Sequence, residues 1–114
     1  MSLDYSLCDQ TVTLYRLQES GVLRQVIRQA YLQIQQSRQT PVSGQEQTVH
    51  CHVILPGQDV QLLPGDRILR GEGPELTREQ WYTFLPETVP ELVQIEYAKT
   101  FYWQGQQCHV EGGA

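Results

Sequence analysis

The sequence is poor in lysine, and its charge balance is acidic. Lys99 is the only lysine among eight basic residues, against thirteen acidic ones, so the net charge is −5 and the pI is near 5.0. Nucleic-acid-binding domains usually carry a basic excess, and the acidic balance therefore argues against sequence-specific binding to nucleic acid.

Long apolar runs and catalytic motifs are also missing. No window approaches the roughly 20 apolar residues that a membrane-spanning helix needs, and the chain does not open on a basic-then-apolar signal peptide. Nor does the sequence contain a Gly-x-Ser-x-Gly motif, a phosphate-binding loop or a His-Glu-x-x-His helix. We therefore expect no membrane association and no enzymatic activity, and we predict no catalytic, cofactor-binding or metal-binding residues.

Cysteine is sparse and dispersed. The three cysteines, Cys8, Cys51 and Cys108, lie far apart, and an odd, scattered set is not a disulfide framework. We expect these thiols to be reduced and mostly buried, as in a protein assembled in the cytoplasm.

Glutamine, by contrast, is abundant, with 17 residues, and six of these lie between positions 25 and 39. One interpretation is a neutral face exposed to solvent. The other is a polar interface at which the side-chain amides bond to the backbone of a partner.

The 114 residues, of which 39% are apolar, suit one domain with a modest core. Residues 11–17 alternate as in a strand, and residues 48–55 give the clearest strand pattern. In the second of these, the alternation places Cys51 on an inner face and both His50 and His52 on the opposite face. A polar loop with Pro41 and Gly44 is expected over residues 38–47.

Residues 22–37 fit two periods. Apolar side chains recur at helical spacing, yet several of the same residues also alternate with glutamine as in a strand. Good helix formers favour the helix slightly, but no convincing cap opens it beyond Ser20 and no glycine closes it. The residues alone leave both structures open.

A turn followed by a short strand occupies residues 62–71. Pro64, Gly65 and Asp66 form the turn, because proline presets φ and glycine tolerates the positive φ that follows. The strand then runs from Arg67 to Arg70 and stops at Gly71.

The last third of the chain predicts a short helix and further strands. Thr77 and Gln80 form a capping-box pattern that opens one or two helical turns ending before Pro86, with Trp81, Phe84 and Leu85 on one face. A strand is expected over residues 91–97. A hairpin turning at residues 104–106 joins residues 101–103 to 107–110. Residues 1–9 and 111–114 are expected to be flexible ends.

Two groups of side chains resemble functional sites. His50, Cys51 and His52, with Cys108 and His109, suggest metal binding or thiol chemistry, but neighbouring side chains diverge on a strand and cannot converge on one atom. A second group could stack single-stranded bases, yet it lacks basic residues, so a core or interface role is favoured; its members are Tyr97, Phe101, Tyr102 and Trp103.

Three short segments resemble a family of small proteins coded by prophages of Gram-positive bacteria, among genes for head morphogenesis and head–tail joining. The segments are residues 11–15 (TVTLY), 63–72 (LPGDRILRGE) and 108–112 (CHVEG). Val26, Ile27 and Tyr31 match a hydrophobic strand of the family pattern, whereas the loops around Gly71, Glu72 and Gly73 are shorter here.

The resemblance implies that residues 22–37 form a long, bent strand. With the patterns above, it predicts a mainly β, small single-domain barrel or sandwich with one short helix, spanning residues 1–114. It also implies a non-enzymatic structural or assembly protein at the head–tail junction of a prophage particle, present in the bacterial cytoplasm during assembly and then in the virion. The implied partners are connector, portal or tail subunits and further copies of the chain. The alternative is a bacterial β-barrel module that binds a ligand or a protein.

Overall fold

Alternating polar and apolar residues form strands over most of the chain. The computed structural model describes residues 5–39 and 46–114, and it describes the backbone alone for residues 36–39 and 46–49. Within these residues the elements are β1 (Gln10–Gln18), β2 (Gly21–Gln39), β3 (Glu46–Pro56), β4 (Arg67–Arg70), α1 (Arg78–Trp81), β5 (Leu92–Gln94), β6 (Tyr97–Trp103) and β7 (Gln106–Gly113). The prediction of a mainly β, single-domain fold with one short helix is confirmed.

All the described strands belong to one antiparallel sheet in the order β5-β4-β1-β2-β3-β7-β6. The two edge strands, β5 and β6, are consecutive in the chain, and only Ile95 and Glu96 separate them. The sheet must therefore curl until its edges approach each other, which gives a half-barrel.

Strand β2 is the bent element that joins the two halves of the sheet. Its first half pairs with β1 as far as Ala30, and its second half pairs with β3 from Tyr31 onward. The register with β1 shifts between Gln10 and Val12, which leaves an extra residue on β2 as a β-bulge before the bend. The strand interpretation of residues 22–37 is thus confirmed and the helical interpretation is wrong.

The core fills the concave side of the sheet. Its largest cluster joins both halves and includes Val12, Leu14, Leu32, Val53, Leu55, Ile68 and Val110, all nearly fully buried. The predicted inner face of β3 is confirmed for Cys51, Val53 and Leu55. A second cluster packs Tyr15, Trp81, Phe84 and Leu92 under the short helix. Tyr15 and Thr13 are also fully buried, so β1 is covered on both faces.

The turn before β4 has the predicted geometry. Gly65 has a φ of 94°, and the amide of Asp66 donates to the carbonyl of Leu63 at 3.0 Å. Strand β4 ends just before Gly71, whose φ is 87°. The positive φ at each glycine is the reason these positions turn the chain.

The capping box is confirmed as well. Thr77 Oγ1 accepts from the Gln80 amide at 3.2 Å, and Gln80 Oε1 accepts from the Thr77 amide at 2.9 Å. At the other end, Arg67 lies over the ring of Trp81 and donates to the carbonyls of Trp81 and Phe84. A nearly buried guanidinium thus donates to backbone oxygens at and just beyond the C-terminal end of the short helix.

The predicted strand over residues 91–97 is wrong in its extent. It divides into β5 and the start of β6, because the chain changes partner between them. The Ile95 amide donates to the carbonyl of Asp66 beside β4, whereas the Glu96 amide donates to Gly113 of β7. One continuous strand cannot pair with both β4 and β7, which lie in different halves of the curled sheet.

The predicted flexible tail at residues 111–114 is replaced by ordered strand. Strand β7 continues to Gly113, Gly112 and Gly113 are buried, and Ala114 exchanges two backbone hydrogen bonds of 3.2 Å with Cys51. The glycines permit this because a side chain at either position would collide with neighbouring atoms.

The other predicted ends and loops have mixed outcomes. In the N-terminal segment, residues 1–4 lie outside the described residues, whereas Cys8 is buried and Tyr5 contacts β7. The predicted loop over residues 38–47 is shortened at both ends by β2 and β3. Its centre, with Pro41 and Gly44, lies outside the described residues.

Candidate functional site

A two-stranded arm projects from the half-barrel. Pairing of β3 with β7 ends at His52, with Cys51 still bonded to Ala114, while pairing of β2 with β1 ends at Ala30. Beyond these points, within the described part of the chain, residues 35–39 pair only with residues 46–50, in five register pairs from Gln35↔His50 to Gln39↔Glu46. We call these ten residues the arm, and at about 3.4 Å per residue they extend roughly 17 Å.

The arm makes the molecule long. The principal extents are 52 × 35 × 21 Å, and the radius of gyration is 15.3 Å. A compact domain of this length has a radius of gyration of about 13 Å. Two-stranded ribbons are at best marginally stable in water without a third strand or a packed face. Each edge of the arm therefore offers backbone donors and acceptors that a partner strand can pair with.

The predicted aromatic group lies on edge strand β6. Tyr97, Tyr102 and Trp103 are 55%, 67% and 48% exposed, and they do not form part of the core. Phe101 is half-buried and stacks on His109, with ring centroids 4.7 Å apart and an interplanar angle of 14°. The exposed rings favour the interface role over the core role.

A pocket of about 250 Å³ lies where the N-terminal segment crosses the convex face of β2, β3 and β7. We call it the Tyr5–His109 pocket. Its apolar walls are Leu7, Tyr31 and Ile54, and Cys8 is buried beside it. Its polar groups are Tyr5, His109 and Glu111, so two elements distant in sequence supply its chemistry.

His109 is held from three sides. Tyr5 Oη lies 2.7 Å from its Nδ1, and the Tyr5 ring meets the imidazole edge-on at 5.4 Å between centroids. Phe101 covers one face of the imidazole. Nε2 of His109 lies 3.6 Å from Oε1 of Glu111. This packing fixes the imidazole plane, with Nδ1 towards Tyr5 and Nε2 towards Glu111.

Glu111 faces two histidines at ion-pair distance. Its Oε1 faces Nε2 of His109 at 3.6 Å and Nε2 of His52 at 4.0 Å, both beyond hydrogen-bonding distance. Lys99 lies opposite it in the β6–β7 register, but the ammonium sits 5.2 Å from the centre of the Phe101 ring. The Glu111 side chain is 28% exposed, so this partly covered carboxylate is paired with two imidazoles at long range.

The environment of the pocket disfavours ionisation of its phenol and its thiol. Burial raises the pKa of Tyr5, and the nearby groups Cys108, Cys8 and Glu111 raise it further. Burial also raises the pKa of the Cys8 thiol, with a smaller contribution from Asp9. Neither group therefore has the lowered pKa that activates a thiol or a phenol as a nucleophile.

Of the residues that suggested a metal site, His52 and His109 both face Glu111, whereas the three side chains of residues 50–52 diverge as the alternation predicts. His50 is exposed and His52 half-buried on the convex face, while Cys51 is buried in the core. Cys108 occupies a bulge in β7, where the register with β6 shifts. In residues 5–39 and 46–114, no group of three or more His, Cys, Asp and Glu side chains is placed to hold a metal ion.

Sequence reasoning did not predict the Tyr5–His109 pocket. Alternation along β7 puts His109 and Glu111 on one face, and this could have been read from the sequence. Tyr5, however, comes from a segment that was expected to be flexible, and it lies 104 residues from His109.

A second concavity, of about 300 Å³, separates the base of the arm from residues 86–92. Ile34, Pro86 and Val89 contribute apolar walls, and Arg70 and Glu91 form an ion pair of 3.0 Å at its rim. Glu91 has a φ of 66°, which is uncommon for a residue with a side chain. Arg70 also donates to the Leu32 carbonyl at 3.1 Å, so the ion pair braces the bend of β2.

No family model matches this chain, and no curated protein or solved structure matches it significantly. Among the described residues, no helix is long and apolar enough to cross a membrane.

Proposed function

We propose that this chain is a non-enzymatic assembly subunit of a prophage particle, acting at the head–tail junction. The observation that carries the assembly role is the arm, whose two strands have no third strand among the described residues. The prophage context rests on the resemblance of residues 11–15, 63–72 and 108–112. Its partners would be connector, portal or tail subunits and further copies of the chain.

The two open edges of the arm favour head-to-tail contacts between copies. In a two-fold dimer formed through β2, both β3 edges would remain unpaired. If β2 of one copy instead pairs with β3 of the next, every arm gains a neighbour on each side. Such heterologous contacts close into a ring or continue as a filament.

The composition of the arm suits this role. Its sequence contains one arginine and one glutamate, at positions 38 and 46, so with histidine neutral it carries no net charge that would repel a second copy. The glutamines at positions 35, 36, 39 and 47 can bond across strands or to backbone. Such an interface is polar, which fits a subunit that must remain dispersed before assembly.

The alternative is a β-barrel module that binds a ligand or a protein, and ligand binding inside the barrel is less well supported. Side chains fill the concave side of the sheet, as the fully buried Leu14, Leu55 and Ile68 show. The concavities that carry polar groups lie outside this core, and at 250–300 Å³ they are at or below the usual size of small-molecule sites.

An arm-shortened variant tests the assembly role. Replacing residues 37–48 by Asn-Gly retains a hairpin but removes most of the arm. The matched control is Gln104→Asn, because Gln104 and Gly105 have φ of 52° and 78°, which an Asn-Gly turn also adopts. We expect the wild type and the control to form oligomers larger than a dimer in light scattering, and the shortened variant to be monomeric. Equal masses for all three would refute the role of the arm.

The prophage context needs its own measurement. Particles purified from an induced lysogen that carries the gene should contain this chain, in several copies per particle by quantitative mass spectrometry. If complete particles lack the chain, the virion proposal is wrong, even where the purified protein oligomerises through the arm.

A further inference from the structure

We propose that the Tyr5–His109 pocket binds the guanidinium of an arginine side chain presented by a partner polypeptide. The inference does not depend on the arm or on the prophage context, because the pocket lies on the convex face and involves other residues.

The Glu111 carboxylate is the reason that we expect the ligand of this pocket to be a cation. The side chain of Glu111 is only 28% exposed, and the two imidazoles paired with it, those of His109 and His52, lie 3.6 and 4.0 Å away, too far to donate hydrogen bonds. A covered carboxylate is stabilised by donors that carry positive charge. An imidazole supplies a full charge only when it is protonated, and the ammonium of Lys99 is directed to Phe101.

The residues that line the pocket favour a guanidinium over an ammonium as the bound cation. Tyr5 and Tyr31 place aromatic rings at the pocket, and a flat, weakly hydrated cation stacks on such rings better than an ammonium. Leu7 and Ile54 offer apolar surface along which the aliphatic stem of an arginine can lie. The Glu111 carboxylate in the pocket lining can accept both arms of the guanidinium fork.

The size of the pocket favours a single side chain. About 250 Å³ is smaller than most pockets for drug-sized molecules, but it accommodates one long side chain. Leu7 is 74% exposed at the rim, where the backbone of a partner would pass. The net charge of −5 favours a basic partner segment over an acidic one.

The probe for the test is N-acetyl-arginine N-methylamide, which presents one arginine without terminal charges. Titration into the ¹⁵N-labelled protein should shift the amide resonances of Tyr31, Ile54 and Glu111 saturably, with a Kd on the order of millimolar for one side chain. The citrulline analogue has the same shape without the charge, and the lysine analogue has the charge without the fork. We expect both to bind at least about threefold more weakly.

Two variants and a control complete the test. Glu111→Gln should weaken binding of the arginine probe about fivefold, as expected for the loss of one partly exposed ion pair. Tyr31→Leu should weaken it by a smaller factor. Glu75→Gln removes an exposed carboxylate elsewhere and should change nothing. Equal binding of the citrulline or lysine analogue, unchanged binding by Glu111→Gln, or no saturable shift would overturn the proposal. The analogue comparison uses the wild type, so it stands even if a variant fails to fold.

Discussion

Arg16 of β1 and Asp66 of the turn before β4 form a two-point ion pair. Arg16 Nε lies 2.9 Å from Asp66 Oδ1, and Nη2 lies 2.7 Å from Oδ2. The Asp66 carboxylate is 2% exposed and also accepts the Leu63 amide at 2.9 Å. Arg16 additionally donates to the side chain and carbonyl of Gln61. One guanidinium thus joins the segment before the turn, the turn itself and a core strand.

Removing Arg16 should therefore destabilise the fold strongly. Arg16→Met leaves the buried carboxylate of Asp66 with only a backbone donor, and we expect a loss of about 3 kcal/mol in the free energy of unfolding, measured by urea denaturation. The control is Arg28→Met, because Arg28 is 70% exposed and pairs with an exposed Glu72 at 3.3 Å. That change should cost less than about 1 kcal/mol. Equal losses for the two variants would mean that the Asp66 pair is no stronger than a surface pair.

The same turn depends on the backbone of Gly65. At a φ of 94° a β-branched residue is strained, and a Cβ would meet no other atom within 4 Å, so the cost is purely conformational. We expect Gly65→Val to lower the free energy of unfolding by roughly 1–3 kcal/mol. Gly65→Asn should cost less, since asparagine tolerates positive φ better. An unchanged melting curve for the valine variant would contradict the turn geometry.

Local signals in the sequence were sufficient for much of the fold. The capping box at Thr77, the turn at Gly65 and the hairpin turn at Gly105 each depend on residues within a few positions of one another. Alternation also placed Cys51 in the core and His52 on the convex face. Such features can be predicted because the interactions and backbone preferences that stabilise them involve residues close together in the sequence.

The remainder depends on contacts between distant parts of the chain. Residues 22–37 satisfy both the helical and the strand period, and the strand forms because β1 and β3 supply its hydrogen bonds. The break at Ile95 and Glu96 follows from the curl of the sheet. The Tyr5–His109 pocket joins two ends of the chain, which no spacing within the sequence reveals.

A substitution at Gly113 tests whether the C-terminal residues are ordered. Its expected effect on the stability of the fold has opposite signs for an ordered strand and for a flexible tail. At Gly113 a Cβ would collide with the carbonyl oxygen of Cys51 and with the Tyr97 ring. Gly113→Ala should therefore destabilise the fold by about 1–3 kcal/mol, as overpacking does. In a flexible tail the same change would be neutral or slightly stabilising, because it reduces the entropy of the unfolded chain. Thermal denaturation distinguishes the two, and hydrogen exchange should show a protected Ala114 amide in the wild type.

The Cys51 thiol makes the stability of the fold depend on pH. Burial raises its pKa above the ordinary value of 9.0; a hydrogen bond with the backbone of Ala114 opposes this rise, and Glu96 adds to it. The folded protein therefore holds this proton at a pH where the unfolded chain releases it. The resulting stability is fully present below pH 9 and is lost as the pH rises through the folded pKa. Tyr15 and Cys8, whose pKa values burial also raises, act in the same direction.

We expect the free energy of unfolding to fall between pH 8 and pH 10.5 under reducing conditions, and the slope to be shallower in Cys51→Ala. Urea denaturation across this range measures both. Native-state alkylation at pH 8 provides an independent check, because the half-buried Cys108 should react well before the buried Cys51. If Cys51 reacts at the rate of a free peptide thiol, or if the two pH slopes are identical, the inward orientation of Cys51 on β3 is wrong.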